Sequence, residues 1–177
     1  MNAIVKAENK LKLPQLTGEA EQQDQYLTFM LGGEIYAIGI LSIKEIIEYG
    51  QLTEIPRMPP SIRGVINLRG AVVPVIDLGA RFGKKSVSIG RRTCIVIIEV
   101  KTEVEGETQV IGVMVDAVNE VLDIPATEIE PAPTFGAHIR ADFIQGMGKV
   151  NGKFVILLDT SRVLSVDEMA ELAAVAA

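Results

Sequence analysis

The sequence predicts an all-β protein built from a duplicated unit, with two small five-stranded antiparallel barrels, short helices and one closing C-terminal helix. Three observations predict it. Short apolar runs are separated by Gly-containing turns, as in "YLTFMLGGEIYAIGI" and "KVNGKFVILLD", which is the signature of hairpins. The chain also repeats itself: "YAIGILSIKEII" (36–47) aligns without gaps on "IGVMVDAVNEVL" (111–122), and "GVINLRGAVVPVIDL" (64–78) on "GMGKVNGKFVILLDT" (146–160), in the same order. Finally, each repeat holds about five strands in a length that suits a small barrel. A single ten-stranded sandwich would satisfy the same pattern.

Taken in order, residues 1–24 are polar, contain "LPQLTGEAEQQDQ" and keep no period, so a flexible tail is expected there. Structure begins at residue 25, with a hairpin turning at Gly32-Gly33. The stretch "SIKEII" places Glu45 three residues after Ser42, the spacing of a capping box, which would start a short helix. A Pro-containing loop and a second hairpin follow. Its turn is Arg69-Gly70, and its second strand ends at Asp77 before a short helix or turn. The first half spans about 25–83 and the second about 93–164, read as two barrels side by side.

In the second half the match places Gly146, Gly152 and Asp159 on Gly64, Gly70 and Asp77, and the four glycines read as structural turn positions. The extra length of the second half falls in loop tips, "KTEVEGETQ" and the Pro-rich "IPATEIEPAPTFGAHIRAD", where insertions leave a core intact. In the tail "SVDEMAELAAVAA", Ser165 and Glu168 form a capping box before strong helix formers, predicting a helix over 165–177.

With 48% hydrophobic and 23% charged residues, the chain reads as an ordinary globular protein. A formal charge of -6 argues against nucleic acid, which demands an excess of Lys and Arg. The basic pairs Lys84-Lys85 and Arg91-Arg92 read as solvating a Gly- and Ser-containing loop. The single cysteine, Cys94, heads the run "CIVIIEV" and reads as a small buried thiol. Neither a signal-like nor a membrane-spanning apolar stretch is present, so a cytoplasmic setting is expected, with no direct membrane contact.

Catalytic equipment is not evident. His138 is the lone histidine and lies in a loop, no nucleophile motif accompanies it, and neither metal-ligand spacing nor a phosphate loop appears. No cofactor or metal is expected. An enzyme subunit whose loop around His138 completes a site with another chain is the competing reading.

The position that stands out is Arg69. It precedes a hairpin Gly where the second half has Asn151, the residue that tolerates φ > 0. A type II turn would excuse it, since only Gly70 then needs positive φ. Alternatively, Arg69 is held by Glu45 and presented to a partner, with exposed aliphatics Ile43 and Val72 beside it, a composition that fits an interface hot spot. Pro74 suits an edge strand or a bulge.

The blocks "FMLGGEIYAIGI", "IKEII", "IPRMPPSIRGVINLRGAVVPVIDL", "VIGVMVDAVNEVL" and "FIQGMGKVNGKFVILLD" closely resemble the chemotaxis coupling proteins of the CheW family, over essentially residues 25–164. The resemblance implies two intertwined five-stranded SH3-like barrels. It also implies a non-catalytic adaptor or scaffold in a two-component signal-transduction system. Such an adaptor works by protein-protein interaction, joining the cytoplasmic tip of methyl-accepting chemoreceptors to the regulatory domain of the histidine kinase CheA at inner-membrane receptor arrays. Carried over by position, Arg69 and Glu45 match the family's Arg and Glu pair, Ile43 and Val72 match receptor-facing apolar positions, and Cys94 stands where a receptor-groove valine is common. An interaction module of a non-motility two-component pathway is the alternative.

Overall fold

A computed structural model describes residues 24–102, 104–132 and 139–165. The expected tail before residue 24, the helix expected beyond Ser165, and His138 lie outside the described residues.

The first half contains strands β1 (Gln25–Leu31), β2 (Glu34–Gly39), β3 (Ile43–Glu48), β4 (Ile62–Leu68) and β5 (Ala71–Asp77), then a one-turn helix α1 (Leu78–Arg81). The second contains β6 (Cys94–Lys101), β7 (Thr108–Val115), β8 (Ala117–Asp123), the two-residue β9 (Ile129–Glu130), β10 (Ile144–Val150), β11 (Lys153–Leu158) and a one-turn helix α2 (Thr160–Val163). Hairpins β1–β2, β4–β5 and β10–β11 form because each joins two apolar runs through a two-residue turn, and β6 and β7 pair in the same antiparallel way across a longer connection.

These strands assemble into two sheets, in the orders β8-β1-β2-β11-β10-β9 and β3-β6-β7-β5-β4. The opening hairpin of each half thus leaves its own half and joins the other's strands. Within each sheet the exchanged hairpin pairs in parallel with a strand of its host. Tyr36 and Ala37 on β2 meet Ile156 and Leu157, and Val75, Ile76 and Asp77 on β5 meet Gly112, Val113 and Met114.

Both sheets return on themselves. In the first, β9 follows β8 along the chain and pairs with β10 at the opposite edge. In the second, Thr53, just beyond β3, bridges Val65 on β4, with Val65 N–H donating to Thr53 O at 2.8 Å and Thr53 N–H donating back at 2.9 Å. This bridge explains Pro74. Pro74 stands opposite Val65, whose backbone groups are both spent on Thr53, so a residue without an N–H costs no ladder bond there. On its other side β5 meets β7 only from Val75 onward.

Two sequence expectations need correction. Gly64 and Gly146 are not turn residues; both lie inside strands, one step past a register shift. A Cβ on Gly64 would run into Thr53 O and Leu52 Cδ2, and one on Gly146 into Ile129 Cγ2. Glycine is needed there because the closing segment crosses directly above the strand. The second correction concerns Ser42. It ends a 3-10 turn (Ile40–Ser42) and its Oγ donates to Gly39 O at 3.0 Å, while Glu45 lies in a strand. Pairing of β3 with β6 overrides the local capping signal.

One large core cluster runs through both sheets, including Leu27, Phe29, Val75, Ile97, Met114 and Phe143. Rings of Phe29, Tyr36, Phe82 and Phe143 follow one another at centroid distances of 6.0, 5.4 and 5.8 Å. Arg81, buried, lies 4.7 Å from the Phe143 centroid and donates from Nε to Val163 O at 2.6 Å, so it closes the end of α2 while packing on the ring. A cation from one repeat thereby terminates a helix of the other.

Candidate protein-binding site

The matched hairpin turns have the same backbone. Arg69 and Gly70 have φ of 52° and 88°, and Asn151 and Gly152 have 51° and 78°. Both central residues are left-handed in each case, the form of a type I′ turn, so the type II excuse for Arg69 does not hold. Gly70 and Gly152 do occupy turns. A left-handed conformation costs a branched-chain or long L-residue about 1–2 kcal/mol. Asn67, three residues before Gly70, offsets part of this by accepting from Gly70 N–H at 2.9 Å.

Arg69 makes a two-pronged contact with Glu45. Nη1 donates to Oε2 at 2.6 Å and Nη2 to Oε1 at 2.8 Å. The pairing raises the Arg69 pKa, chiefly through these hydrogen bonds. The side chain of Glu45 is only 12% exposed and that of Arg69 68%. The carboxylate is therefore a fixed anchor and the guanidinium lies at the surface, held flat by its fork geometry.

This contact joins the two ends of a sheet. Glu45 is on β3, one edge strand, and Arg69 is on the hairpin that includes β4, the other edge. They come together because the sheet closes through the Thr53–Val65 bridge. Val72, opposite Asn67 on β5, is 70% exposed, a large value for an aliphatic residue within a strand.

Ile43, expected to be exposed, is corrected, whereas Cys94 is the buried thiol that its place at the head of an apolar run suggests. Ile43 and Cys94 are 8% and 1% exposed, both in the core cluster. The register of β3 on β6 shifts between Ile43 and Glu45, so Lys44 is an extra residue and the inward-outward alternation restarts beyond it. Ile46 then faces inward while Glu45 and the half-buried Ile47 share the outer side. Cys94 pairs with Glu48 and Val115 on its two sides, and burial pushes its thiol pKa up.

Below the hairpin lies a polar centre that the sequence signalled only as a terminal Asp. Asp77 is fully buried and caps α1 by accepting from Ala80 N–H. It also receives Arg63 Nη1 at 2.6 Å and the Val87 N–H. Asp159, its counterpart, caps α2 by accepting from Arg162 N–H.

Comparison with known proteins identifies the family and the architecture. Residues 25–168 match the family model described as the CheW-like domain. The chain belongs to the CheW family. Among its relatives are the chemotaxis protein CheW of Klebsiella aerogenes, 39% identical over 155 residues that cover 88% of this chain and 89% of that one. That of Bacillus subtilis is 34% identical over 150 residues, covering 84% and 92%. A solved scaffolding CheW protein from Thermoanaerobacter tengcongensis superposes with a TM-score of 0.69 at 35% identity, covering 77% of this chain and 84% of that one. CheW membership places the chain among chemotaxis scaffolds with paired SH3-like barrels. Among the described residues no helix is long and apolar enough to cross a membrane, and no group of three or more His, Cys, Asp or Glu could hold a metal ion.

Proposed function

We propose that this chain is a non-catalytic adaptor that couples the cytoplasmic tips of methyl-accepting chemoreceptors to the regulatory domain of the histidine kinase CheA. Arg69, Glu45 and Val72 form the receptor-facing contact. The protein meets the membrane only through the receptors, at their arrays on the inner membrane.

The observation that carries this reading is the unfavourable backbone of Arg69. A long cation is kept in a left-handed turn position where the sister hairpin has Asn151. Its bidentate pair with Glu45 is exposed on the arginine side, and such pairs stabilise a fold by only about 0–1 kcal/mol. A partner that takes up the fixed guanidinium and the neighbouring Val72 accounts for the arrangement, since arginine beside exposed aliphatic surface is the composition of an interface hot spot.

The test is a pull-down with two baits, a receptor tip and the kinase regulatory domain. Arg69→Glu reverses the charge against Glu45, and it is expected to leave the circular dichroism melt nearly unchanged while weakening receptor capture more than kinase capture. Equal loss of both, or collapse of the melt, overturns the assignment of Arg69 to the receptor.

A further inference from the structure

The loop between α1 and β6 carries four cations in nine residues, Lys84, Lys85, Arg91 and Arg92, on a chain whose formal charge is -6. The structure shows what they surround. Together with the tip of the β1–β2 hairpin they wall an open cavity of about 840 Å³. That is within the size range of small-molecule sites.

The cavity is built from both barrels. Leu31 and Gly32 come from the exchanged hairpin, and the cationic loop comes from the first half. The loop is tied down at several points. Val87 N–H donates to both carboxylate oxygens of buried Asp77 at 3.1 Å, Lys84 N–H donates to Gly79 O at 2.9 Å, and Gly90 N–H donates to Thr93 Oγ1 at 2.7 Å. A ligand would thus meet an already ordered loop and avoid the entropic cost of ordering it.

The charge is not internally cancelled. Lys84 is engaged with Glu34 Oε1 at 3.1 Å and the Tyr36 hydroxyl at 3.2 Å, and Asp116 in the wall accepts from Gly32 N–H at 2.8 Å. Lys85, Arg91 and Arg92 are exposed and make no ion pair among the described residues. Ser86 and Ser88 add hydroxyl donors to the same wall. A concave surface with one excess sign focuses its field on a ligand of the other. Guanidinium groups and hydroxyls are the donors that phosphate takes up.

We propose that this cavity binds a small phosphorylated anion carrying at least two negative charges, of the pyrophosphate or nucleoside-polyphosphate class. Lys85, Arg91 and Arg92 contact the phosphates, with Ser86 and Ser88 as neutral donors. The site is independent of the Arg69 surface and does not require that reading.

Isothermal titration calorimetry on the full chain, with pyrophosphate and ATP as probes, tests it. Saturable binding is expected with a dissociation constant below about 1 mM, weakening with added salt. Lys85→Glu/Arg92→Glu should weaken it by about 10-fold or more, whereas Arg57→Glu/Lys149→Glu, an equal charge reversal on exposed residues outside the cavity, should not. Amide shifts in the unaltered chain supply a readout independent of any variant, and are expected at Gly32, Gly90, Arg91 and Asp116. The proposal is overturned by absence of saturable heat, by equal loss in the control variant, or by shifts elsewhere on the surface. It is also overturned if a hexaglutamate peptide binds as tightly as pyrophosphate.

Discussion

Arg69 and Glu45 are joined by two hydrogen bonds of 2.6 and 2.8 Å across the seam where the two edges of one sheet meet. The arginine holds this position from a backbone φ of 52°, a value that its counterpart Asn151 adopts at lower cost. Turn preference and side-chain presentation therefore oppose each other at this residue, and that opposition can be measured.

Arg69→Asn is expected to keep the hairpin and to leave stability unchanged or raise it by about 0.5–1 kcal/mol, because Asn relieves the left-handed strain while the lost ion pair was worth little. Receptor-tip capture should still fall. Chemical denaturation beside the pull-down checks both. A marked loss of stability would show that the pair serves the fold.

A double-mutant cycle separates the same two roles from the other side. Glu45→Gln and Arg69→Gln, alone and together, should show a coupling of about 0–1 kcal/mol in folding. In receptor binding each single change should cost about 2 kcal/mol, with the double variant little worse than either single one.

The duplicated capping aspartates should differ in weight. Asp159→Ala removes an exposed helix cap and should cost about 1 kcal/mol. Asp77→Ala also strands Arg63 and the buried Val87 N–H, and should cost about 2–4 kcal/mol even though Arg63 is partly exposed. Urea denaturation of the two variants side by side gives the comparison.

Cys94 gives a pH-dependent outcome. Burial raises its folded pKa above the ordinary value of about 8.5, so folding favours the neutral thiol. Its contribution to stability is complete below the unfolded pKa and is lost as pH rises through the raised folded value. Alkaline melts should therefore fall faster for the native chain than for Cys94→Val, and iodoacetamide should modify the thiol only on unfolding.

Gly64→Ala should cost about 1–3 kcal/mol, since the added methyl meets Thr53 O and must displace the bridge that closes the sheet. Gly146→Ala meets a side-chain methyl of Ile129 first, and should be the milder of the two. Thermal melts of the pair would rank them.

The internal repeat, the hairpins at Gly32-Gly33, Arg69-Gly70 and Asn151-Gly152, and the Arg69–Glu45 pairing were legible in the chain itself, because turn chemistry and residue matching are local or additive signals. Ile43 was misplaced on the surface for a different reason. Facing in a strand depends on register, and the extra residue Lys44 in β3 changes register through pairing with β6, a contact that no alternation pattern records.

What the sequence determined by itself is the duplication, the places where the chain reverses, and the residue that disagrees with its turn. Only the tertiary structure decided which hairpin joins which barrel and why Gly64 and Gly146 must lack a side chain. It also decided that Lys85, Arg91 and Arg92 share one cavity with the tip of a distant hairpin. These features depend on contacts between residues far apart in the chain, where the free energy comes from closing a sheet and burying its faces and no short window of residues carries it.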